Sequence, residues 1–454
     1  MPTEKSAITS AGNPRAARRQ RRRQHPGLVP AAEATFAGLG VPAPLVAALA
    51  ETGITVPFPI QAATLPDALA GHDILGRAQT GSGKTLAFCL PLSARLADGH
   101  TMACRPRGLV LVPTRELAAQ VQAVLLPLAR AVGLSTAVIF GGTPQNPQVA
   151  ALRDRADIVV ACPGRLADLI EQGHCHLGDV EITVLDEADH MADLGFLPVV
   201  RRLLDTTPCE GQRLLFSATL DGAVDVLARR FLNQPARHAV DAVASRTAIT
   251  HHLLTVTPAD RVGVLATLAS GEARVLIFTR TKHGASKLAR KLARAGTPTA
   301  ELHGNLAQGA RTRNLAAFAS GQVRAMVATD IAARGIHVDG IDLVIHADPP
   351  AEHKAYVHRS GRTARGGAEG TVVTVVTAAQ AAEVRTLMRK AGVSPQAAIA
   401  GPGSAVLRSI AGPPARHTTP VAALPRPVLA SDQATGRGAV AASGAFRGRR
   451  RHRG

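Results

Sequence analysis

Aromatic residues are scarce in this chain of 454 residues, which has no tryptophan, one tyrosine and ten phenylalanines. Stacking on bases is therefore not expected to dominate any nucleic-acid contact. Contacts to phosphate and sugar groups are expected to dominate instead. Cysteines are also few: there are five, an odd number, and no pair has the spacing of zinc ligands. This count disfavours a disulfide framework and fits reduced thiols in a cytoplasmic protein.

Long apolar runs are absent as well. No stretch reaches the roughly 18–20 apolar residues that a membrane span requires. The arginines near the N-terminus are not followed by an apolar segment, so they do not form a secretory signal. A basic transit segment is the alternative, but the Ala-, Arg- and Gly-rich composition favours a disordered arm of a bacterial protein. We expect a cytoplasmic monomer without membrane contact.

Acidic residues are the minority among charged residues, with 33 Asp and Glu against 52 Lys and Arg, a formal net charge of +19. The excess lies at the two ends. Residues 1–30 carry seven basic residues and one Glu, and residues 396–454 carry nine Arg and one Asp. Such ends indicate a polyanionic partner, most simply nucleic acid, although tails that only solubilise the chain are an alternative.

A glycine-rich run occupies residues 78–85 and reads Ala-Gln-Thr-Gly-Ser-Gly-Lys-Thr. It lies between a short apolar segment and a helix-compatible run, so its backbone N–H groups would meet an anion at a helix N-terminus. Gly81 and Gly83 allow close approach, Lys84 would reach the β- and γ-phosphates, and the Thr85 hydroxyl would bind Mg²⁺. Because Ala78 replaces the usual first glycine, a chance glycine-rich turn remains an alternative for this motif alone.

An acidic run, Asp-Glu-Ala-Asp at residues 186–189, follows the apolar segment 181–185. Carboxylates at the C-terminal end of a parallel strand face the crevice in which open α/β sheets bind ligands. Asp186 fits a magnesium ligand, and Glu187 could orient or deprotonate a water molecule. A surface acidic turn is the alternative, but together with the phosphate loop the run favours ATP hydrolysis.

Apolar strand-like segments alternate with helix-like segments, which predicts an α/β protein with two parallel, helix-covered sheets. We predict a disordered Arg-rich arm at 1–33, an ATP-binding domain at 34–242, a second domain at 243–395 and a disordered Arg-, Gly- and Pro-rich tail at 396–454. The hinge is placed near residues 241–250. The predicted strands are 73–76, 108–112, 136–140, 157–161, 182–185, 213–216, 274–278, 324–328, 343–346 and 370–376.

The second predicted domain has no phosphate loop, but it contains three arginines within residues 359–365. An arginine placed against the γ-phosphate strongly favours hydrolysis. If these arginines reach a nucleotide held by the first domain, hydrolysis depends on closure of the two domains. A solvated basic surface is the alternative.

Taken in order, these motifs resemble those of the DEAD-box RNA helicases, over residues 36–392. The resemblance implies two tandem RecA-like domains, Mg²⁺ at Thr85 and Asp186, and ATP at Phe36, Gln61, Gln79, Thr80, Gly81, Ser82, Gly83, Lys84, Thr85 and Asp186. In this family pattern Gln61 would read the adenine edge and Phe36 would cover its face. Phe58 stands where the family usually has Thr.

The same resemblance assigns the remaining functional residues. Lys84, Glu187, Arg362 and Arg365 would be catalytic, the two arginines serving as arginine fingers. RNA would contact Pro113, Thr114, Arg115, Gly142, Gly164, Arg165, Gly304 and Thr329. Hydrolysis would be coupled to strand separation through Asp189, Ser217, Thr219 and His358, with His358 bridging to Asp189. Cys162 and His337 replace a usual Thr and a frequent Asp.

Two rival interpretations use the same residues. A DNA translocase would share the paired domains, but the Gln61 motif argues against it. An RNA clamp or annealer would use the Arg-rich tails, but the set of Lys84, Glu187, Arg362 and Arg365 argues against an inert ATPase. The partners we expect are RNA and, beyond it, ribonucleoprotein, ribosome-assembly or RNA-decay proteins.

Overall fold

The computed structural model describes residues 34–414, except 80, 221, 241–248, 334–337, 339 and 365–367. It confirms the predicted fold class, because two seven-stranded parallel sheets follow one another along the chain. The predicted arm at 1–33 and residues 415–454 of the predicted tail lie outside the described residues, as does most of the predicted hinge. Among the described residues, no helix combines the length and apolar composition that crossing a bilayer requires.

The first sheet has the strand order β3-β4-β2-β5-β6-β1-β7. Its strands are β1 (Ile74–Ala78), β2 (Gly108–Leu111), β3 (Thr136–Ile139), β4 (Ile158–Ala161), β5 (Ile182–Asp186), β6 (Gln212–Ser217) and β7 (Ala236–Val240). Within the described residues, the helices that accompany it are α1 (Ala43–Glu51), α2 (Pro59–Leu69), α3 (Lys84–Leu96), α4 (Arg115–Ala131), α5 (Asn146–Arg153), α6 (Pro163–Glu171), α7 (Ala188–Asp193), α8 (Leu197–Asp205) and α9 (Ala223–Phe231).

The second sheet has the order β10-β11-β9-β12-β13-β8-β14, which repeats the order of the first sheet strand for strand. Its strands are β8 (Ile249–Thr255), β9 (Val275–Thr279), β10 (Thr299–Leu302), β11 (Ala325–Thr329), β12 (Leu343–His346), β13 (Gly370–Val376) and β14 (Gln396–Ile399). Its helices are α10 (Arg261–Ala269), α11 (Lys282–Arg294), α12 (Gln308–Ala319), α13 (Asp330–Ala333), α14 (His353–Ser360), α15 (Ala381–Lys390) and α16 (Ala405–Ala411), with a short 3₁₀ helix at Ala378–Gln380.

The central strands are buried on both faces, which explains why they read as continuous apolar runs. In β5, Ile182 and Val184 pack into the core on one side of the sheet, and Leu185 packs into the core on the other side. The second sheet is likewise covered by two apolar cores. In open α/β sheets of this kind, ligands bind outside the C-terminal ends of the strands.

The predicted start of the tail at residue 396 is wrong. Residues Gln396–Ile399 form β14, which pairs with β8, and α16 packs against α10 through the buried Leu407. Since β14 takes the position in the second sheet that β7 has in the first, it completes the domain. Its sequence, Gln-Ala-Ala-Ile, gave no strand signal because this edge strand is largely exposed and lacks apolar alternation.

Most predicted strands match the observed strands within one or two residues, but β7, β8 and β10 were also missed. β7 reads Ala-Arg-His-Ala-Val and β8 begins Ile-Thr-His-His, so neither is continuously apolar. Both lie toward one edge of their sheet, where one side of the strand faces less of the core.

Candidate active site

The phosphate loop follows β1 and ends where α3 begins at Lys84. Gly81 and Gly83 have φ values of 85° and 87°, a left-handed conformation that favours glycine and turns the chain into the helix. The buried Lys84 ammonium donates to the carbonyl oxygen of Ala78 at 2.9 Å. A nucleotide that bound here would exchange this carbonyl for phosphate oxygens. Thr80 lies outside the described residues.

Gln61 lies beside this loop and is fully buried. Its amide nitrogen donates to the carbonyl oxygen of Gly83 at 2.8 Å, and its amide oxygen accepts from the backbone N–H of Phe58 at 2.8 Å. Phe36, which the family pattern places over the adenine, is 2% exposed and belongs to the apolar core that contains Leu45. As it lies, this ring has no free face to offer a base.

Asp186 ends β5, and Glu187 follows it in a left-handed conformation with φ of 52°. Such a conformation is strained for a residue with a Cβ, and such strain concentrates at functional sites. Burial raises the pKa of Asp186 to about 7, although the nearby charge of Lys84 opposes that rise. For Glu187 burial also raises the pKa, but its hydrogen bond with His190 and the charges around it outweigh burial and hold the pKa below its usual value.

His190 is a site residue that the sequence reasoning missed. Its Nδ1 lies 3.0 Å from Oε2 of Glu187, three residues earlier at the start of α7. Since both side chains are buried, the imidazole fixes the direction of the Glu187 carboxylate. The spacing of three residues next to the acidic run was the available signal.

Asp189 lies close to the β6 end, as the predicted coupling role requires. Its backbone N–H donates to the Ser217 hydroxyl at 3.2 Å, and its carboxylate accepts from the backbone N–H of Thr219 at 3.2 Å. A shift of Asp189 would therefore move the segment after β6. The contact of His358 with Asp189 stays a prediction.

The second domain places Arg362 at the same cleft. Arg362 is 5% exposed, and its positive charge is one of those that lower the pKa of Glu187. Nearby, the buried guanidinium of Arg359 forms a two-pronged ion pair with Asp330, at 2.5 and 2.6 Å. This pair anchors the motif of residues 358–365 to the end of β11. Arg365 lies outside the described residues.

Side-chain hydrogen bonds join the two domains directly, and none of them was predicted from the sequence. One runs from Nε2 of Gln308 to Oε1 of Glu116 at 3.4 Å. The Arg311 Nε donates to Glu116 Oε1 at 2.8 Å, with both side chains almost fully buried. The Arg115 Nη1 donates to Gln308 Oε1 at 3.1 Å. These residues come from opposite domains, so the structure shows the two domains closed on one another.

The residues assigned to RNA in the first domain follow β2, β3 and β4. Pro113 is buried, and the Thr114 hydroxyl caps α4 by accepting from the backbone N–H of Leu117 at 3.2 Å. Arg165 donates to the carbonyl oxygen of Thr143 at 3.3 Å. Two glycines complete this group. A methyl group on Gly142 would lie 2.2 Å from the Arg115 guanidinium, whereas Gly164 faces open space.

The remaining RNA-assigned residues belong to the second domain. Gly304 is exposed in the loop after β10, and Thr329 ends β11 half-buried. Of the two departures from the family pattern, Cys162 precedes α6, and burial raises the pKa of its thiol to about 12. Its thiol therefore stays neutral. His337 lies outside the described residues.

Comparison with known protein families assigns a family to each of the two domains. The DEAD/DEAH box helicase model matches residues 58–226, and the helicase conserved C-terminal domain model matches residues 260–367. Together the two models span more than half of the chain. The chain belongs to the DEAD-box RNA helicase family. The resemblance stated from the motifs is thereby confirmed.

Curated relatives of this DEAD-box protein include plant and bacterial proteins. The chloroplastic DEAD-box ATP-dependent RNA helicase 3A of Zea mays is 40% identical over 373 residues, which cover 79% of this chain and 49% of that protein. The ATP-dependent RNA helicase RhlB of Xanthomonas oryzae pv. oryzae is 40% identical over 355 residues, 76% of this chain and 62% of that protein. The matched region thus spans about half to three fifths of these relatives.

Solved DEAD-box structures are similar to this chain over both of its domains. S. cerevisiae Dbp5 bound to RNA and ADP BeF3 has a TM-score of 0.71 and 27% identity, over 80% of this chain and 95% of that chain. Mss116p bound to ssRNA and AMP-PNP has a TM-score of 0.70 and 26% identity, over 83% of this chain and 82% of that chain.

The buried pair of Glu116 and Arg311 should stabilise the closed state of this DEAD-box protein. We expect Glu116→Gln and Arg311→Gln each to open the domains, and the double variant to open them less than the two effects added, with a coupling of roughly 0.5–3 kcal/mol. Energy transfer between fluorophores on the two domains, at saturating RNA and non-hydrolysable nucleotide, measures this. Strictly additive effects would show that the pair does not hold the domains together.

Proposed function

We propose that this chain is an RNA-stimulated ATPase that separates short RNA duplexes when its two domains close. The observation that supports this most directly is that the positive charge of Arg362, a buried residue of the second domain, lowers the pKa of Glu187 in the first domain. Within the described residues, the phosphate loop belongs to the first domain, and the Arg362 charge that acts on Glu187 comes from the second. Closure therefore completes the catalytic site, and RNA that spans both domains would favour closure and raise the affinity for ATP.

Mg²⁺ would be held by the Thr85 hydroxyl and the Asp186 carboxylate. These are oxygen donors, the kind that Mg²⁺ prefers, and Asp186 is only 3% exposed at the end of its strand. Within the described residues, no group of three or more His, Cys, Asp or Glu side chains could hold a metal by itself. A magnesium ion here would accordingly depend on phosphate oxygens and water, and it would neutralise charge on the transferred group.

RNA would lie against the loops of both domains that are assigned to its sugar-phosphate backbone. A bent single strand would fit there, and a regular duplex would not. Contacts to 2′-hydroxyl groups would give preference for RNA over DNA. The wider setting we propose is the cytoplasm, with the chain acting as a monomer on ribonucleoprotein, ribosome-assembly or RNA-decay complexes. The comparisons with RNA-bound relatives support the RNA part of this proposal.

The decisive experiment measures ATP turnover with and without RNA, beside unwinding of matched RNA and DNA duplexes and duplex annealing. We expect RNA to stimulate turnover, and unwinding to require an RNA strand and ATP. A segment spanning residues 34–242 should show almost no RNA stimulation. Full RNA-stimulated turnover by that segment alone would refute the two-domain mechanism, and ATP-independent annealing without unwinding would favour an RNA clamp.

The basic C-terminal segment should add affinity for RNA without entering the chemistry. Because residues 396–411 belong to the second domain, the deletion has to begin at residue 415. Residues 415–454 carry eight Arg and one Asp. Their removal should weaken RNA binding and flatten its salt dependence, by up to ~0.7 log–log units for each lost single-strand phosphate contact.

Binding isotherms across a salt series, with turnover at saturating RNA as the control, check this expectation. Turnover at saturation should stay almost unchanged. An unaltered affinity and an unaltered salt slope would mean that these arginines are only a solvated end.

A further inference from the structure

Helix α11 of the second domain is basic along its whole length. It contains five Lys and Arg residues and one His, and it contains no Asp or Glu. The helix dipole stabilises cations in the last turn, but Lys282 lies in the first turn, where the dipole disfavours positive charge. The dipole therefore accounts for only part of this pattern.

Most of these basic side chains lie on one exposed face of the helix. At 3.6 residues per turn they fall within about 100° of arc, and we call this set the basic face of α11. Leu288 and Leu292, on the opposite face, pack into an apolar core of the second sheet. Like charges three and four residues apart repel one another, so the spacing destabilises the helix unless an anion lies against it. The basic face consists of His283, Lys287, Arg290, Lys291 and Arg294, all of them exposed.

Little in the protein itself balances these charges. Among the described residues, no carboxylate forms an ion pair with Lys287, Lys291 or Arg294. Arg290 is partly engaged, because its Nε donates to the carbonyl oxygen of Ser286 at 3.2 Å. The basic face thus presents at least three cations to whatever lies in front of it.

The basic face begins next to a loop that is assigned to RNA. Lys282, at the start of α11, donates from Nζ to Oδ1 of Asn305 at 2.8 Å, and Asn305 follows the RNA-assigned Gly304 in the loop after β10. From this end the basic face runs along the helix for about 16 Å, at a rise of 1.5 Å per residue. An RNA strand that leaves the loop at Gly304 would therefore meet a continuous row of cations.

We propose that the basic face of α11 binds phosphate groups of RNA that extends beyond the segment held between the two domains. The occupant is RNA because the face carries charge opposite to that of phosphate and is continuous with an RNA-assigned loop. Phosphate contacts carry no sequence information, so this surface adds affinity for long RNAs of any sequence. The inference rests on the proposed RNA-stimulated function and adds a second contact surface to it.

The test compares a short RNA with longer ones on the full chain. The short RNA is the shortest oligouridylate that stimulates turnover fully, and the longer ones are the same oligomer extended at its 5′ or its 3′ end. The triple variant Lys287→Gln/Lys291→Gln/Arg294→Gln removes three positive charges and keeps good helix-forming residues. It should weaken binding of an extended RNA by roughly 10-fold and lower its salt slope by up to ~2 log–log units, at ~0.7 for each lost phosphate contact. Binding of the short RNA, and turnover saturated with it, should stay unchanged.

Helix α15 supplies a matched control in the same domain. It also carries three exposed basic residues, but its Val384 and Met388 pack into the other core of the second sheet. The variant Arg385→Gln/Arg389→Gln/Lys390→Gln removes the same charge and should leave every affinity unchanged. A second control, Lys287→Arg/Lys291→Arg/Arg294→Lys, keeps the charge of the basic face and should bind extended RNA as the natural chain does.

Two results would overturn the inference while leaving the proposed function intact. One is a glutamine variant of α11 that binds both extended RNAs as tightly, and with the same salt slope, as the natural chain. The other is an equal loss of affinity in the α15 variant, because net charge and not the basic face would then set the affinity. The proposed function fails separately if no RNA stimulates turnover by the natural chain, and in that case the salt series with a long oligouridylate still tests the basic face.

Discussion

Arg362→Ala should lower RNA-stimulated ATP turnover by about 10³-fold, the scale of an arginine that neutralises charge on the transferred phosphoryl group. The reason lies in the geometry of the closed cleft, where Arg362 acts on Glu187 from the domain that has no phosphate loop. Nucleotide affinity should change far less, because Lys84 stays on the first domain. Steady-state turnover at saturating RNA, beside nucleotide binding at equilibrium, separates the two effects.

Arg362→Lys is the informative companion, since lysine keeps the charge and loses the planar fork. It should recover part of the turnover and leave a clear deficit. The Arg365→Ala variant is expected to behave like Arg362→Ala. Turnover of Arg362→Ala within a few fold of the natural rate would remove Arg362 from the catalytic set.

Glu187→Gln should stall hydrolysis by roughly 10²- to 10⁴-fold, the contribution of a well-placed general base, and it should still bind ATP and RNA. Glutamine preserves the size of the side chain and an oxygen that can meet His190, but it cannot orient or accept a proton from water as a carboxylate does. The trapped, ATP-bound state should release RNA slowly. Single-turnover hydrolysis and the RNA dissociation rate measure both consequences.

Lys84→Ala provides the contrast. It should abolish turnover too, but through loss of the point charge at the β- and γ-phosphates, so nucleotide binding should weaken as well. A Glu187→Gln variant with near-normal turnover would contradict its assignment as the water-orienting residue. If Lys84→Ala bound nucleotide as tightly as the natural chain, the phosphate-loop assignment would be wrong.

Much of the candidate site was predicted from short local sequence patterns. The glycine-rich run and the acidic run were found from short stretches, because a phosphate loop and a strand-end carboxylate each need a fixed order of neighbouring residues. Their common location follows from the parallel sheet, since β1 and β5 both end at the same edge. The strand pattern of the central β-strands was equally readable, because burial on both faces demands continuous apolar residues.

Contacts between distant segments could not be read in this way. Glu116 and Arg311 are 195 residues apart, and each looks like an ordinary charged residue until the domains close around them. His190 and Phe36 are two further residues whose surroundings could not be read from the sequence. The structure shows that His190 contacts Glu187 and that Phe36 is buried in the apolar core.

By itself, then, the sequence determined the family and the two parallel α/β domains, and it predicts the phosphate and metal chemistry, because these depend on neighbouring residues and on the period of apolar positions. Only the tertiary structure decided where the second domain ends and which side chains join the domains. Those features depend on pairing and burial between segments far apart in the chain. Edge strand β14 is an example, because only its pairing with the β8 backbone identifies residues 396–399 as part of the second domain.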